Sequence, residues 1–344
     1  MQAVEDEYDI DSAWSTFLEG GTVDSGVSLP SIIDTSITEG NIPKGTELYI
    51  STKTKIAYLS SPIDLAEVFW KVDILPYHLQ QEGIVKKQMK FNFTDEEHLK
   101  SVSNKLVGLK NVDEQIITQI VNPNGRIKFK DIRKISIGLS QKDITSYRSK
   151  KKSAFYNCFV VIIRIQDEDI FKEIHVKVFN TGKLEIPGIR TDDLLYKTLD
   201  ILTNTIKKIS NIEDLKYDKS RSETVLINSN FNCGFYINRD KLLEILKYKY
   251  KIDCIFDACQ YPGIQCKYVY TANNEQVYQI SFMIFRTGSV LIVGKCEEDV
   301  LYKIYDNIKD ILITEYSLIR VNGYEPSKEI TRIKKHKKKT IYID

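Results

Sequence analysis

Val178-Phe179-Asn180-Thr181-Gly182 and Ile284-Phe285-Arg286-Thr287-Gly288 stand 106 positions apart, and their likeness continues downstream without a gap. Ile186 meets Ile292, Gly188 meets Gly294, Asp193 meets Asp299, Leu195-Tyr196-Lys197 meets Leu301-Tyr302-Lys303, and Asp200 meets Asp306. Ten identities over the 24 positions 179–202 exceed what chance supplies, so one supersecondary unit occurs twice in this chain.

In the first copy, Cys158 to Ile165 and Glu173 to Phe179 alternate as strands around the polar turn Gln166-Asp167-Glu168-Asp169. The Thr-Gly turn then opens a third strand, Lys183 to Ile186. A helix follows, with Thr191-Asp192-Asp193 at the positive end of its dipole and Leu194, Leu195, Leu199 and Leu202 as its buried stripe. The second copy repeats this with Glu297-Glu298-Asp299 and Val300, Leu301, Ile304 and Ile308. Upstream of each copy stands a further strand and helix: a strand from Ile56, then Pro62 and the helical spacing of Ile63 to Trp70, echoed by Thr224 to Asn228 and a helix capped by Asn238. Two such copies side by side predict an α+β fold, a curved antiparallel sheet with helices on one face only. The opposite face is left to meet something.

Around this duplicated body the chain is uneven. With 344 residues and 42% hydrophobic content it is long enough for one large or two modest cores. Residues 1–50 carry ten Asp or Glu against Lys44, a net of −9, which leaves +11 on the remainder. A basic body with an acidic extension suits a nucleic-acid binder whose tail competes for the basic surface, and equally an ordinary domain with a solvated leader. Residues 1–45 read as flexible, 91–150 as an insertion, and Lys328 to Lys339 as a basic tail that attracts phosphate or serves as a nuclear address. No apolar run approaches the roughly 20 residues that cross a bilayer, and the N-terminus is acidic where a secretory signal is basic, so an intracellular protein is expected.

The six cysteines include no Cys-x-x-Cys pair and read as reduced; Cys233, Cys254, Cys259 and Cys266 fit no common zinc spacing, so neither metal nor cofactor is expected. The four histidines form no Ser-His-Asp or metal-ligand pattern, and no Gly-rich phosphate loop is present. These absences argue against an enzyme, although an insertion of this size has room for a site.

Taken together, Phe179-Asn180-Thr181-Gly182-Lys183, Phe285-Arg286-Thr287-Gly288-Ser289, the glycines Gly188 and Gly294, Tyr261-Pro262-Gly263-Ile264, and Asn228 with Cys233 five residues on resemble the TATA-box-binding proteins. The resemblance covers roughly 46–90 and 150–318, and the insertion and extensions look like the divergent forms of large cytoplasmic DNA viruses. It implies a duplicated saddle with helices on the convex face: an acidic extension 1–45, a first repeat 46–220 containing the insertion, a second repeat 221–318 and a basic tail 319–344. It also implies a transcription initiation factor that binds and bends A·T-rich promoter DNA through the minor groove. Its partners would be that duplex, a transcription factor B-like protein and the RNA polymerase machinery, with no membrane and no small-molecule substrate. The site of action would be the nucleus, or a viral factory or virion.

Carried over by position, the resemblance makes Phe179, Phe285, Tyr261 and Phe159 the wedges that unstack base steps. Phe159 stands beside Cys158, which the register places at the position equivalent to Tyr261. Asn228, Thr181, Thr287, Pro187, Leu291 and Val293 would meet base edges or the groove floor, with Ser51 nearest to a first-repeat counterpart of Asn228. Arg164, Lys183, Arg190 and Lys267 would hold phosphates. Three departures stand out: Tyr261 replaces a phenylalanine, Ser289 replaces a lysine, and Glu185 turns a carboxylate toward DNA. The rival readings are a saddle-fold scaffold that binds protein, and a nuclease or glycosylase that uses such a sheet to hold DNA.

Overall fold

The computed structural model describes residues 43–145, 158–210, 212–272 and 275–321. The acidic extension up to residue 42, Lys150-Lys151-Lys152 and the basic tail from residue 322 lie outside the described residues. Contacts divide the chain into two compact units, one over 52–224 and one over 225–321 together with 43–51.

The 52–224 unit contains most of β1 (Tyr49–Tyr58), then α1 (Leu65–Lys71), β2 (Gly83–Phe93), α2 (Glu96–Leu106), β3 (Val112–Val121), β4 (Phe129–Gly138), α3 (Gln141–Thr145), β5 (Cys158–Asp167), β6 (Ile170–Phe179), β7 (Lys183–Ile189) and α4 (Asp192–Ser210). Its strands are antiparallel neighbours in the order β3-β4-β2-β5-β6-β7-β1. One core lies between the sheet and the helices, where Leu194, Leu195, Leu199 and Leu202 of α4 meet Val161, Ile163, Val176 and Leu184.

The other unit contains β8 (Glu223–Asn232), α5 (Arg239–Glu244) running into a π turn (Ile245–Lys249), β9 (Asp253–Ile255), β10 (Gly263–Thr271), β11 (Val277–Phe285), β12 (Ser289–Gly294), α6 (Glu298–Thr314) and α7 (Tyr316–Ile319). Its order is β8-β12-β11-β10-β9. Val300, Leu301, Ile304 and Ile308 of α6 close over Ile264, Phe282, Val290 and Ile292. The order β1-β7-β6-β5-β2 therefore recurs as β8-β12-β11-β10-β9, and the duplication inferred from sequence is present in the topology.

The turns repeat in detail. Gly182 and Gly288 take φ of +83° and +82°, the left-handed conformation that glycine enters without penalty. The N–H of Leu59 donates to Gly182 O, and that of Cys233 to Gly288 O. Likewise the N–H of Ile63 donates to Asn180 O, and that of Ile237 to Arg286 O. Asp64 caps α1 by accepting from the Glu67 N–H, and Asn238 caps α5 by accepting from the Lys241 N–H.

The insertion starts later than the sequence reading places it. β2 is the repeat's own strand, equivalent to β9, and among the described residues the extra elements fall within 96–145; they add β4 and β3 beyond β2. β2 is illegible by alternation because Lys87 points into the core. Its Nζ donates to Val72 O at 2.6 Å, at the end of α1, and lies 5.1 Å from the centre of the Phe69 ring. Burial lowers its pKa to about 8 against the opposing pull of Asp73. β3, an edge strand with no buried position, offers no apolar period at all.

Candidate nucleic-acid interface

Side chains alternate across a strand, so the residues between core positions define a second face on each sheet. In the 225–321 unit the register sets them in rows. Asn228, Val293, Ser281, Lys267 and Asp253 stand side by side across β8, β12, β11, β10 and β9. Beside them run Asn230, Leu291, Met283, Gln265 and Ile255. Asn228, Leu291, Val293 and Met283 are absent from the core cluster of this unit, so the sheet's second face is apolar at its centre and polar on the β8 side. Leu291 is half-buried, while Val293 at 2% exposure is closed off by its neighbours.

Asn228 is buried at 8% exposure, and its side-chain oxygen accepts no hydrogen bond. Buried polar atoms are nearly always paired, and leaving one unpaired costs on the order of 1–3 kcal/mol. Asn230 donates to Ser51 Oγ at 2.8 Å, and Asn232 accepts from the Gly234 N–H at 2.7 Å. The alternation Asn228-x-Asn230-x-Asn232, legible in the sequence, thus gives one face three amides, two held by hydrogen bonds and one with its oxygen unpaired.

At the end of the rows Phe285 faces Gly263 across the strands. The Tyr261 and Phe285 rings meet there with centroids 5.9 Å apart, tilted by 59°. A Cβ on Gly263 would stand 3.1 Å from Phe285 and 3.2 Å from Tyr261, so the rings rest on the space this glycine leaves. Both residues are half-buried, and burial raises the Tyr261 phenol above its ordinary pKa. The pair projects apolar surface from a sheet corner.

The 52–224 unit differs. Phe179 is half-buried and outside the core, with Lys183 Nζ 5.9 Å from its ring centre. Its cross-strand partner is Cys158, so a side chain stands where Gly263 has none. Burial pushes the Cys158 thiol up to about 12. The register equates Cys158 with Gly263, not with Tyr261, and the match to Tyr261 falls at Tyr156, outside the described residues. Phe159 is no wedge. It is fully buried on the core side, edge-on to Phe69 at 5.8 Å, because the strand's alternation turns it away from the second face.

Glu185 and Pro187 occupy the positions of Leu291 and Val293, as the register predicts. Glu185 pairs with Lys177 at 2.6 Å, so its carboxylate is matched within the sheet. Ile56 stands opposite Glu185 as Asn230 stands opposite Leu291, which assigns Thr54 and not Ser51 to Asn228. Thr54 is buried at 6% exposure.

Arg164 is not available for phosphate. It is 5% exposed, donates to Tyr77 O and Leu79 O at 2.9 Å each, and lies over the Tyr77 ring and 3.8 Å from Glu173. Glu173 also accepts from the Gln141 N–H, and Lys86 holds Asp143 at 2.8 Å. Burial works against the Asp143 charge, but hydrogen bonds from Lys86 and Ser140 outweigh it and hold the carboxyl below its usual range. The end of the insertion therefore lies on this face and occupies its polar groups. Equivalent positions in the other unit, Val269 and Gln279, are exposed. Of the remaining basic candidates, Arg190 and Lys267 are exposed and Lys183 is half-buried. Thr181 and Thr287 are exposed at the two turns.

A protein of Acanthamoeba polyphaga mimivirus named TATA-box-binding protein-like is 24% identical over 204 residues, 53% of this chain and 55% of that protein. The TATA-box-binding protein of Sulfolobus acidocaldarius is 24% identical over 136 residues, 40% of this chain and 61% of that protein. The chain is a divergent TATA-box-binding-protein-like protein. It spans about half to three-fifths of the length of these curated relatives. No family model matches it. The solved structure of Methanococcus jannaschii TBP aligns with 78% of this chain and 99% of its own, at 14% identity and a TM-score of 0.39. Relatives of this family name stand with transcription and DNA binding in general.

Proposed function

We infer that the protein binds duplex DNA through the minor groove and bends it, as an initiation factor that recruits a transcription factor B-like protein and RNA polymerase. The observation that carries this reading is the Tyr261–Phe285 ring pair seated on Gly263 at the end of an apolar, amide-flanked sheet face. Inserting apolar side chains between base steps costs a few kcal/mol per step and is offset by contact along the opened groove, a strategy for which the TATA-box-binding proteins are the type example. The amide of Asn228 supplies the polar group that such a floor presents to base acceptors, and A·T pairs lack the guanine amino group that would clash. Lys183, Arg190 and Lys267 hold phosphates. The second-repeat face, with its half-buried ring pair, is the anchor, and the first-repeat face makes fewer contacts.

Anisotropy titration of an A·T-rich duplex over a salt series tests this. Three phosphate contacts give a log–log slope of about −2.7, at about 0.9 per phosphate, and energy transfer between end labels rises on binding as the duplex bends. A salt-insensitive affinity, or a duplex that stays straight, overturns the reading in favour of a protein-binding scaffold.

A further inference from the structure

Cys254 on β9 and Cys266 on β10 are direct cross-strand partners in the core of the 225–321 unit, with their sulfurs 3.0 Å apart. Opposed residues in antiparallel strands have Cα atoms about 4.5–5.5 Å apart, inside the range that a disulfide spans. We propose that this pair is a reversible redox site, closing to a disulfide that ties the edge strand β9 to β10. Both thiols are almost fully buried, and burial raises the Cys266 pKa, with the neighbouring Cys254 adding to the rise. Cys266 thiolate is therefore scarce in the closed state, and reaction proceeds through opening of β9, which is held by only three residue pairs at the sheet edge.

With oxidised glutathione as the oxidant, one cysteine thiolate attacks the glutathione disulfide, forming a mixed disulfide and expelling glutathione thiolate. The second cysteine then attacks the protein-bound sulfur and expels the other glutathione. Two protein thiols become one disulfide, two electrons pass to the reagent, and the two protons leave on two molecules of reduced glutathione. The bridge spans 254–266, the segment that carries Tyr261, so it braces the stem of the ring pair. Arg239 already supports that stem, donating to Pro262 O and lying over the Phe256 ring.

The full-length protein is equilibrated in glutathione buffers of graded potential, quenched with N-ethylmaleimide in denaturant, digested and mapped by mass. The expected product is a linked peptide pair containing Cys254 and Cys266, two mass units lighter than the reduced pair and absent from Cys254→Ser and Cys266→Ser. Amide exchange over 253–263 slows at least about tenfold on oxidation, since a bridge closing so short a loop typically contributes more than a factor of ten. These readouts involve no DNA, so they stand or fall apart from the proposed function. Full alkylation of both cysteines at oxidising potentials, or a bridge that leaves exchange unchanged, overturns the proposal.

Discussion

The two units repeat one order of elements and carry different chemistry on the face turned away from the helices. Where the second has Leu291 beside Met283, the first has Glu185 paired with Lys177. Where the second leaves Gly263 bare beneath two rings, the first has Cys158. At the row of Val269 and Gln279 the first has Arg164 and Glu173, engaged by the Tyr77 loop and by the end of the insertion. The inner faces diverge too, since the partners Cys254 and Cys266 occupy the places of Lys87 and Val161. Duplication preserved the backbone pattern, which the core and the turns demand. It left the outer faces free to differ: one is apolar at its centre, with Leu291 half-buried beside the buried Met283 and Val293, and the other is polar and engaged by the end of the insertion.

The sharpest way to break this comparison is to remove one ring from each face. Phe285→Ala is expected to weaken duplex binding by about 2 kcal/mol or more, roughly thirtyfold, and to lower the bend read by end-label energy transfer. Phe179→Ala should do distinctly less, and equal losses would make the faces equivalent.

Lys87 tests the inner faces by pH. Its folded-state pKa of about 8 lies below the ordinary 10.5, so between those values the unfolded chain holds more protons and stability rises with pH. The rise amounts to on the order of 2–3 kcal/mol. Denaturant titrations from pH 7.5 to 10.5 should show it, and Lys87→Met should flatten it; the same slope in the variant would mean that Lys87 is not the titrating group.

Asn228→Ala is expected to narrow the preference for A·T-rich over G·C-rich duplex by about 1–2 kcal/mol, whereas Thr54→Ala leaves it unchanged. The smallest effect concerns the covering of the first face. Asp143→Asn frees Lys86, and if that lysine then reaches a phosphate the log–log salt slope steepens by about one.

The second repeat was the more legible in the sequence. The Phe-x-Thr-Gly turns, the Asn238 cap and the leucine stripes act through local geometry, which spacing reveals, whereas the first helix starts at Leu65 under an Asp64 cap and not at Pro62. β2 escaped because a buried lysine interrupts its alternation, and β3 because an edge strand needs no apolar period. Phe159 was misplaced because it stands one residue from Cys158, and a single step along a strand turns a side chain to the other face. The engagement of Arg164 was invisible because its partners, Tyr77, Leu79 and Glu173, come from separate segments. The Asn-x-Asn-x-Asn alternation could have found Asn230 and Asn232, and only the strand pairing identifies Thr54 as the counterpart of Asn228.

Replacing every A·T pair of a preferred duplex by inosine·cytosine tests the central claim most directly. Inosine lacks the minor-groove amino group, so such a pair shows the minor-groove pattern of A·T and the major-groove pattern of G·C. The account predicts that the inosine duplex binds like the A·T duplex while the G·C duplex is rejected. An inosine duplex that behaves like G·C would contradict it, because the protein would then be reading the other groove.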